Sequence, residues 1–271
     1  MKKTSVEESI ITALDGSDVK LVQYLPYILQ DFWEMGTPPE DIIDIIRRYT
    51  QHYTDLYVLD LGSGKGAVSI QVALALQCTC LGIDALEDFV VFSNDKAREY
   101  CVHNICTFET HDIRERLTTL GAYNVIILGA IGPVFGDYYY TLKQLEPHLK
   151  DNGIIIINDA CIEDDSNDHP VIQRKCDILQ QAENAGMQVL EIITDDTTGE
   201  LESEYRIELQ NLTKRCMELA AKYPEDRDLF HGYIEKQTRE YEILNNEIVP
   251  ALFVFGKNRD SGTHSPSCCF Q

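Results

Sequence analysis

The stretch Val58–Ile70, VLDLGSGKGAVSI, constrains this chain more than any other. Its opening residues form a short apolar run ended by turn residues, the pattern of a strand buried on both faces. Gly62, Gly64 and Gly66 break the run, and Val68, Ile70 and Val72 reopen an apolar pattern that reads as a helix. Glycines at such a corner permit positive φ and let a ligand approach the main chain closely. The amides opening the next helix face that ligand, so the corner predicts a nucleotide-like binding site.

Three ligand classes compete for it. The triphosphate-binding loop needs Gly-x-x-x-x-Gly-Lys-Ser/Thr, but here Gly66 follows Lys65 and Leu59 stands where the first glycine belongs. That reading fails. The dinucleotide pattern Gly-x-Gly-x-x-Gly/Ala fits Gly62, Gly64 and Ala67, with Asp84 about 20 residues on, so an NAD(P)-dependent oxidoreductase stays open. Asp60 points elsewhere. A carboxylate two residues before the glycines repels a pyrophosphate and attracts an ammonium.

The run Asp60-x-Gly62-x-Gly64-x-Gly66 resembles the first motif of class I S-adenosylmethionine (SAM) methyltransferases. The resemblance covers about residues 55–195 and 250–257, with the motifs in order. It implies SAM as cofactor, with Asp60 near its ammonium end and the backbone of Gly62, Ser63, Gly64 and Gly66 around it. Asp84, 24 residues after Asp60, matches the acidic residue that accepts from both ribose hydroxyls, with Ala85 beside it. Asp112 matches the group near the adenine amino function, and Ile113 supplies backbone polarity. Gly129-Ala130-Ile131-Gly132 is similar to the glycine-rich fourth motif of the ubiquinone and menaquinone biosynthesis enzymes, placing Gly129 at the cofactor. Catechol-type relatives carry a metal-binding Asp at that strand end. None stands here, so no metal is expected.

The rest of the chain fits this frame. Strand-like runs at 56–61, 79–84, 105–110, 123–128, 154–157, 188–193 and 251–255 alternate with helical segments, the signature of a parallel sheet with crossovers. The expected fold is therefore α/β: a seven-stranded, mostly parallel sheet of class I methyltransferase type, strand seven antiparallel. Residues 1–50 form an N-terminal helical cap, with a capping box at Ser5 and Glu8, a helical segment through Leu21–Trp33 that Pro26 kinks or divides, and a third helix around Ile42–Tyr49. Residues 51–197 are the core and 249–258 its last strand. Residues 198–248 form a helical hairpin, since Tyr205, Leu209, Leu212, Cys216, Leu219 and Tyr223 recur at spacings of three and four. The tail at 259–271 is rich in Ser and Pro and reads as disordered; its final Cys-Cys-Phe-Gln formally matches a prenylation box without the second signal that anchoring needs.

The net charge of −22, from 45 acidic and 23 basic residues, disfavours nucleic acid and leaves a small-molecule acceptor. No apolar run approaches a membrane span and no signal-peptide core follows Lys2 and Lys3, so a cytoplasmic location is expected. Nine scattered cysteines read as reduced thiols.

The catalytic group has no signature. Candidate bases follow strand five: Asp159, Glu163, Asp164, Asp165 and His169. Lys65 should be exposed, because SAM offers no phosphate to it. Tyr24 and Tyr27, with Tyr205 or Tyr233, are expected to roof the acceptor pocket and orient substrate. The hairpin is either part of that lid or a homodimer interface. A catalytically silent SAM-binding protein is the third functional reading.

Overall fold

The computed structural model describes residues 4–50, 55–163, 169, 172–194, 198–246 and 248–258. The chain opens with α1 (Val6–Ala13), set by the expected capping box: the Glu8 amide donates to Ser5 Oγ at 3.1 Å and the Ser5 amide to Glu8 Oε2 at 2.8 Å. The helical segment expected through Leu21–Trp33 is divided near Pro26 and ends at Ile28, short of Trp33. A 3-10 segment (Val19–Tyr24), capped by Asp18, leads into the single turn α2 (Leu25–Ile28), and Pro26 lies in that first turn, where its missing N–H costs nothing. Beyond it, residues 29–37 run as a strap of turns and bends, before Pro39 opens α3 (Pro39–Tyr49).

The core then alternates as read: β1 (Tyr57–Leu61), α4 (Ala67–Leu76), β2 (Thr79–Asp84), α5 (Glu87–Glu99), β3 (Cys106–Thr110), α6 (Ile113–Arg116), β4 (Tyr123–Gly129), α7 (Tyr138–Leu145), β5 (Leu149–Cys161), α8 (Lys175–Asn184) and β6 (Met187–Thr194). The hairpin helices α9 (Thr198–Lys222) and α10 (Arg227–Asn246) precede β7 (Val249–Lys257). The strand order is β3-β2-β1-β4-β5-β7-β6, with β7 antiparallel to both neighbours and the other pairs parallel. β1 is central, so its carboxyl end meets the place where the strand order reverses, where open α/β sheets bind ligands. β5 outruns its apolar run because it pairs with β7 as far as Cys161.

Strand alternation sorts the core into two layers. Val58, Val125, Ile156 and Val254 face α3, α4 and α5. Leu59, Ile126, Ile155 and Phe253 face α6, α7 and α8. A third cluster joins the cap to the hairpin: Ile11, Leu21, Leu25, Ile28 and Phe89 pack on Leu212, Cys216, Leu219, Phe230 and Tyr233. The hairpin's apolar seam, which suggested a second copy of the chain, is covered by the chain's own N-terminal segment.

Phe230 is fully buried in that third cluster, its ring edge-on to Tyr24 at 4.9 Å. Phe230→Ala should lower unfolding stability by about 3–5 kcal/mol in urea titrations. A loss below about 1 kcal/mol would mean that the hairpin stands apart from the cooperative core.

Candidate active site

The glycine corner is built as its sequence requires. Gly62, Gly64 and Gly66 have φ of 74°, 53° and 75°. Space forbids side chains there as well: a Cβ on Gly62 would stand 2.3 Å from Ile131 Cγ2, and one on Gly66 would stand 2.6 Å from the Phe108 ring. The amides of Gly62 and Ser63 both donate to the Ile83 carbonyl, at 2.8 and 3.0 Å, tying the loop to the end of β2.

Asp84 completes that tie. Its Oδ2 accepts from the Gly64 amide at 2.8 Å and its Oδ1 from the Leu86 amide at 2.9 Å. Burial pushes its carboxyl up to about 6, against the pull of the Leu86, Gly64 and Ala85 amides. Asp112 caps α6 and grips the Arg114 guanidinium with both oxygens, at 2.8–3.1 Å. Arg114 reaches on to the Thr4 carbonyl at 3.0 Å, fastening the start of the cap over this end of the site.

These groups line a crevice of about 910 Å³, its open mouth included. Gly62, Ser63, Gly64, Asp84, Ala85, Asp112, Ile113 and Gly129 all border it; Gly66 lies beneath the loop. The roof is apolar and comes from the cap: Val6, Ile10 and Leu14 of α1, then Trp33 and Met35 of the strap. The Ser63 hydroxyl is buried with no hydrogen-bond partner among the described residues. That hydroxyl stands 2.8 Å from where a Cβ on Gly82 would be, so it points beneath the loop toward β2 and not into the crevice.

Asp60 sits deeper than expected. It is 3% exposed, does not border the crevice, and accepts from Ser69 Oγ at 2.7 Å. Burial raises its carboxyl to about 7, the Ser69 bond opposing and nearby Asp84 adding to the rise. Lys65 reverses its expectation outright. It is 4% exposed, with its ammonium donating to the carbonyls of Leu29 and Phe32, the latter at 2.6 Å. Burial lowers it to about 8.

A methyltransferase-domain family model matches residues 53–246, most of the chain. The chain belongs to that family. Its methyltransferase fold is shared with solved structures at low identity. A SAM-dependent methyltransferase from Geobacter sulfurreducens in complex with S-adenosylhomocysteine is similar at 16% identity and TM-score 0.71, over 87% of this chain and 98% of that one. The [4+2]-cyclase SpnF is similar at 15% and 0.66, over 88% and 93%. The cyclopropane synthase MmaA2 from Mycobacterium tuberculosis is similar at 11% and 0.65, over 95% and 100%. No curated protein matches the sequence.

Within this methyltransferase domain the candidate catalytic residues lie off the crevice. Tyr24 donates to Asp226 at 2.8 Å and Tyr27 to Glu218 at 2.7 Å, both on the hairpin side, so neither roofs the site. Tyr233 donates to the Leu14 carbonyl at 3.0 Å and acts only by holding α1; the Tyr205 side chain lies outside the described part. Their hydroxyls found acidic or carbonyl acceptors on neighbouring helices, a pairing that helical spacing does not reveal. Asp159 accepts from Tyr138 at 3.0 Å within the sheet layer, and His169 Nδ1 accepts from the Ile172 amide at 2.9 Å. Neither borders the crevice. Asp164 and Asp165 lie outside the described residues. The residues missed from sequence are Val6, Ile10, Met35 and Arg114; the apolar spacing of α1 is a signal for Val6 and Ile10, and no local pattern points to the other two.

Asp60 gives a test with a definite sign. Its carboxyl titrates near 3.8 when unfolded and about 7 when folded, so the native state holds the extra proton between those values. The stabilisation from that proton is complete below the unfolded value and is lost as pH rises through 7. Asp60→Asn leaves Ser69 an acceptor and removes the buried charge. Above pH 7 it should be more stable than the parent by on the order of 2 kcal/mol, with the gain gone at pH 4, in urea unfolding. An equal gain at both pH values would contradict this assignment.

Proposed function

We propose that this chain transfers a methyl group from S-adenosylmethionine to a small-molecule acceptor bound in the crevice. Asp84 carries the cofactor reading. Its two oxygens are fixed by the Gly64 and Leu86 amides, leaving lone pairs for the two hydroxyls of a ribose. The side-chain-free corner suits a ligand lying close along the loop. Asp112 and the Ile113 backbone then serve the adenine end. Gly62 and Gly129 serve the amino-acid end, with Asp60 as the buried negative charge behind it. The S-adenosylhomocysteine bound to the similar Geobacter protein supports the same ligand here.

SAM supplies a methyl group already activated on a sulfonium. The chain's share is positioning and dryness. Val6, Ile10, Leu14 and Met35 exclude water from above, while the strand ends set the direction of approach. The net charge of −22 and the roofed crevice favour a small acceptor over a polyanion.

Calorimetry of the full chain with S-adenosylhomocysteine and with NADH tests the reading. The expected result is binding of the former, weakened about tenfold or more by Asp84→Ala, which removes the charged hydrogen-bond acceptor. Binding of NADH alone would establish the oxidoreductase alternative. Cofactor binding without turnover across amine, thiol, phenol and carbon acceptors would leave a silent binding protein.

A further inference from the structure

Lys65 is an anomaly that the cofactor reading does not absorb. Lysine is rarely buried without a reason, and this one sits in a glycine loop whose ligand has no phosphate for it. Its ammonium turns away from the crevice into the strap. There it donates to the carbonyls of Leu29 and Phe32, and it lies 5.5 and 5.2 Å from the ring centres of Phe89 and Phe92. The contact runs in both directions: the Lys65 carbonyl accepts from Trp33 Nε1 at 3.1 Å. One residue of the cofactor loop therefore holds the strap by three hydrogen bonds.

The strap so held reaches the far side of the site. Met35 Cε stands 2.8 Å from where a Cβ on Gly64 would be, and Gly36 presses against Ala130. Asn158, at the end of β5, donates to the Gly36 carbonyl at 3.1 Å and to Thr37 Oγ1 at 2.8 Å. On the outer side Arg215 of α9 grips Asp31 with bonds of 2.6 and 2.8 Å. Residues 29–37 thus cross the ends of β1, β4 and β5, and they carry Met35 and Trp33 into the crevice wall.

We propose that Lys65 is a positioning residue for this reaction: it clasps the strap onto the glycine loop, so that Met35 closes the crevice over the amino-acid end of the bound cofactor. The proposal rests on the SAM reading above. Without the clasp, the strap stays joined to the hairpin through Arg215 but loses its hold on the loop. Bound ligand then escapes faster, while its rate of entry is unaffected.

Lys96 provides the control. It lies over Trp33, Phe92 and Tyr100 at 5.4–5.8 Å and pairs with Glu99, so it shares the aromatic surroundings and touches the strap only at the Trp33 ring, without Lys65's bonds to the strap carbonyls. Trp33 is the chain's one tryptophan, so its emission reports on the strap directly. Lys65→Met and Lys96→Met are compared with the parent by tryptophan emission without ligand, and by stopped-flow association and dissociation of S-adenosylhomocysteine. The expected result is a dissociation rate raised about tenfold for Lys65→Met alone, with association unchanged, and a red-shifted emission in Lys65→Met. Equal effects in both variants, or an unchanged dissociation rate for Lys65→Met, would overturn the proposal. Should Lys65→Met not fold, Trp33→Phe removes one of the three bonds; faster dissociation from that variant supports the clasp, and an unchanged rate overturns it. If the parent binds no S-adenosylhomocysteine, the SAM reading fails and this role falls with it; the emission difference still reports whether Lys65 holds the strap.

Discussion

A single carboxylate organises the crevice. Asp84 ends β2, accepts from the glycine loop at Gly64 and from the start of α5 at Leu86, and so joins three elements at one point. The Ile83 carbonyl reinforces the joint by taking the amides of Gly62 and Ser63. The loop's shape is thus dictated by the strand beside it as much as by its own glycines. The arrangement is costly. Asp60 is buried and Asp84 half-buried, and both titrations are displaced upward, chiefly by the loss of solvent around them, with Asp84 adding to the rise at Asp60.

Around that joint the domain separates scaffold from roof. The sheet and its two core layers fix the strand ends, whereas the apolar surfaces above the crevice all belong to the N-terminal segment. That segment has little sheet contact of its own. It is held by the hairpin through Phe230, Leu212 and Cys216, where each large side chain fully buried contributes about 1.5–3 kcal/mol. Tyr233 and Gln237 of α10 both donate to the Leu14 carbonyl, fixing the end of α1, and Lys236 does the same for the Gly16 carbonyl. The hairpin therefore shapes the crevice without bordering it. The hairpin buttresses the roof and is not itself the lid.

The sheet was legible because each strand is an apolar run ended by a glycine or a carboxylate, and alternation of strand and helix left one topology in reach. The corner at Gly62–Gly66 was legible for the same local reason. What escaped was set by contacts distant in sequence. Lys65 was read from ligand chemistry as exposed, but its partners Leu29 and Phe32 are more than 30 residues away. Tyr24 and Tyr27 were placed by their aromatic character, while their hydroxyls are directed by Asp226 and Glu218 on the hairpin. The segment Leu21–Trp33 has helical spacing, yet the chain tightens to a 3-10 turn before Pro26 and then opens into the strap. Periodicity locates the buried face of a segment; it does not choose between neighbouring helical geometries.

The strap also explains why a cation is tolerated in the loop. α2 is one turn long and the chain turns again beyond it: the Leu29 carbonyl accepts from the Phe32 amide at 3.1 Å, and the Leu29 and Phe32 carbonyls both meet the Lys65 ammonium. Buried beneath a roof, such carbonyls need donors as strongly as a charge needs acceptors. An ammonium offers three hydrogens on a flexible stem and can meet two carbonyls that point in different directions, where a planar guanidinium is confined to its fork. The rings of Phe89 and Phe92 return part of the lost hydration to the charge, and Asp31 lends a favourable field. Burial pulls Lys65 down only to about 8, so it keeps most of its charge at neutral pH. The buried ammonium and the two carbonyls satisfy one another, and the strap is held on the loop where they meet.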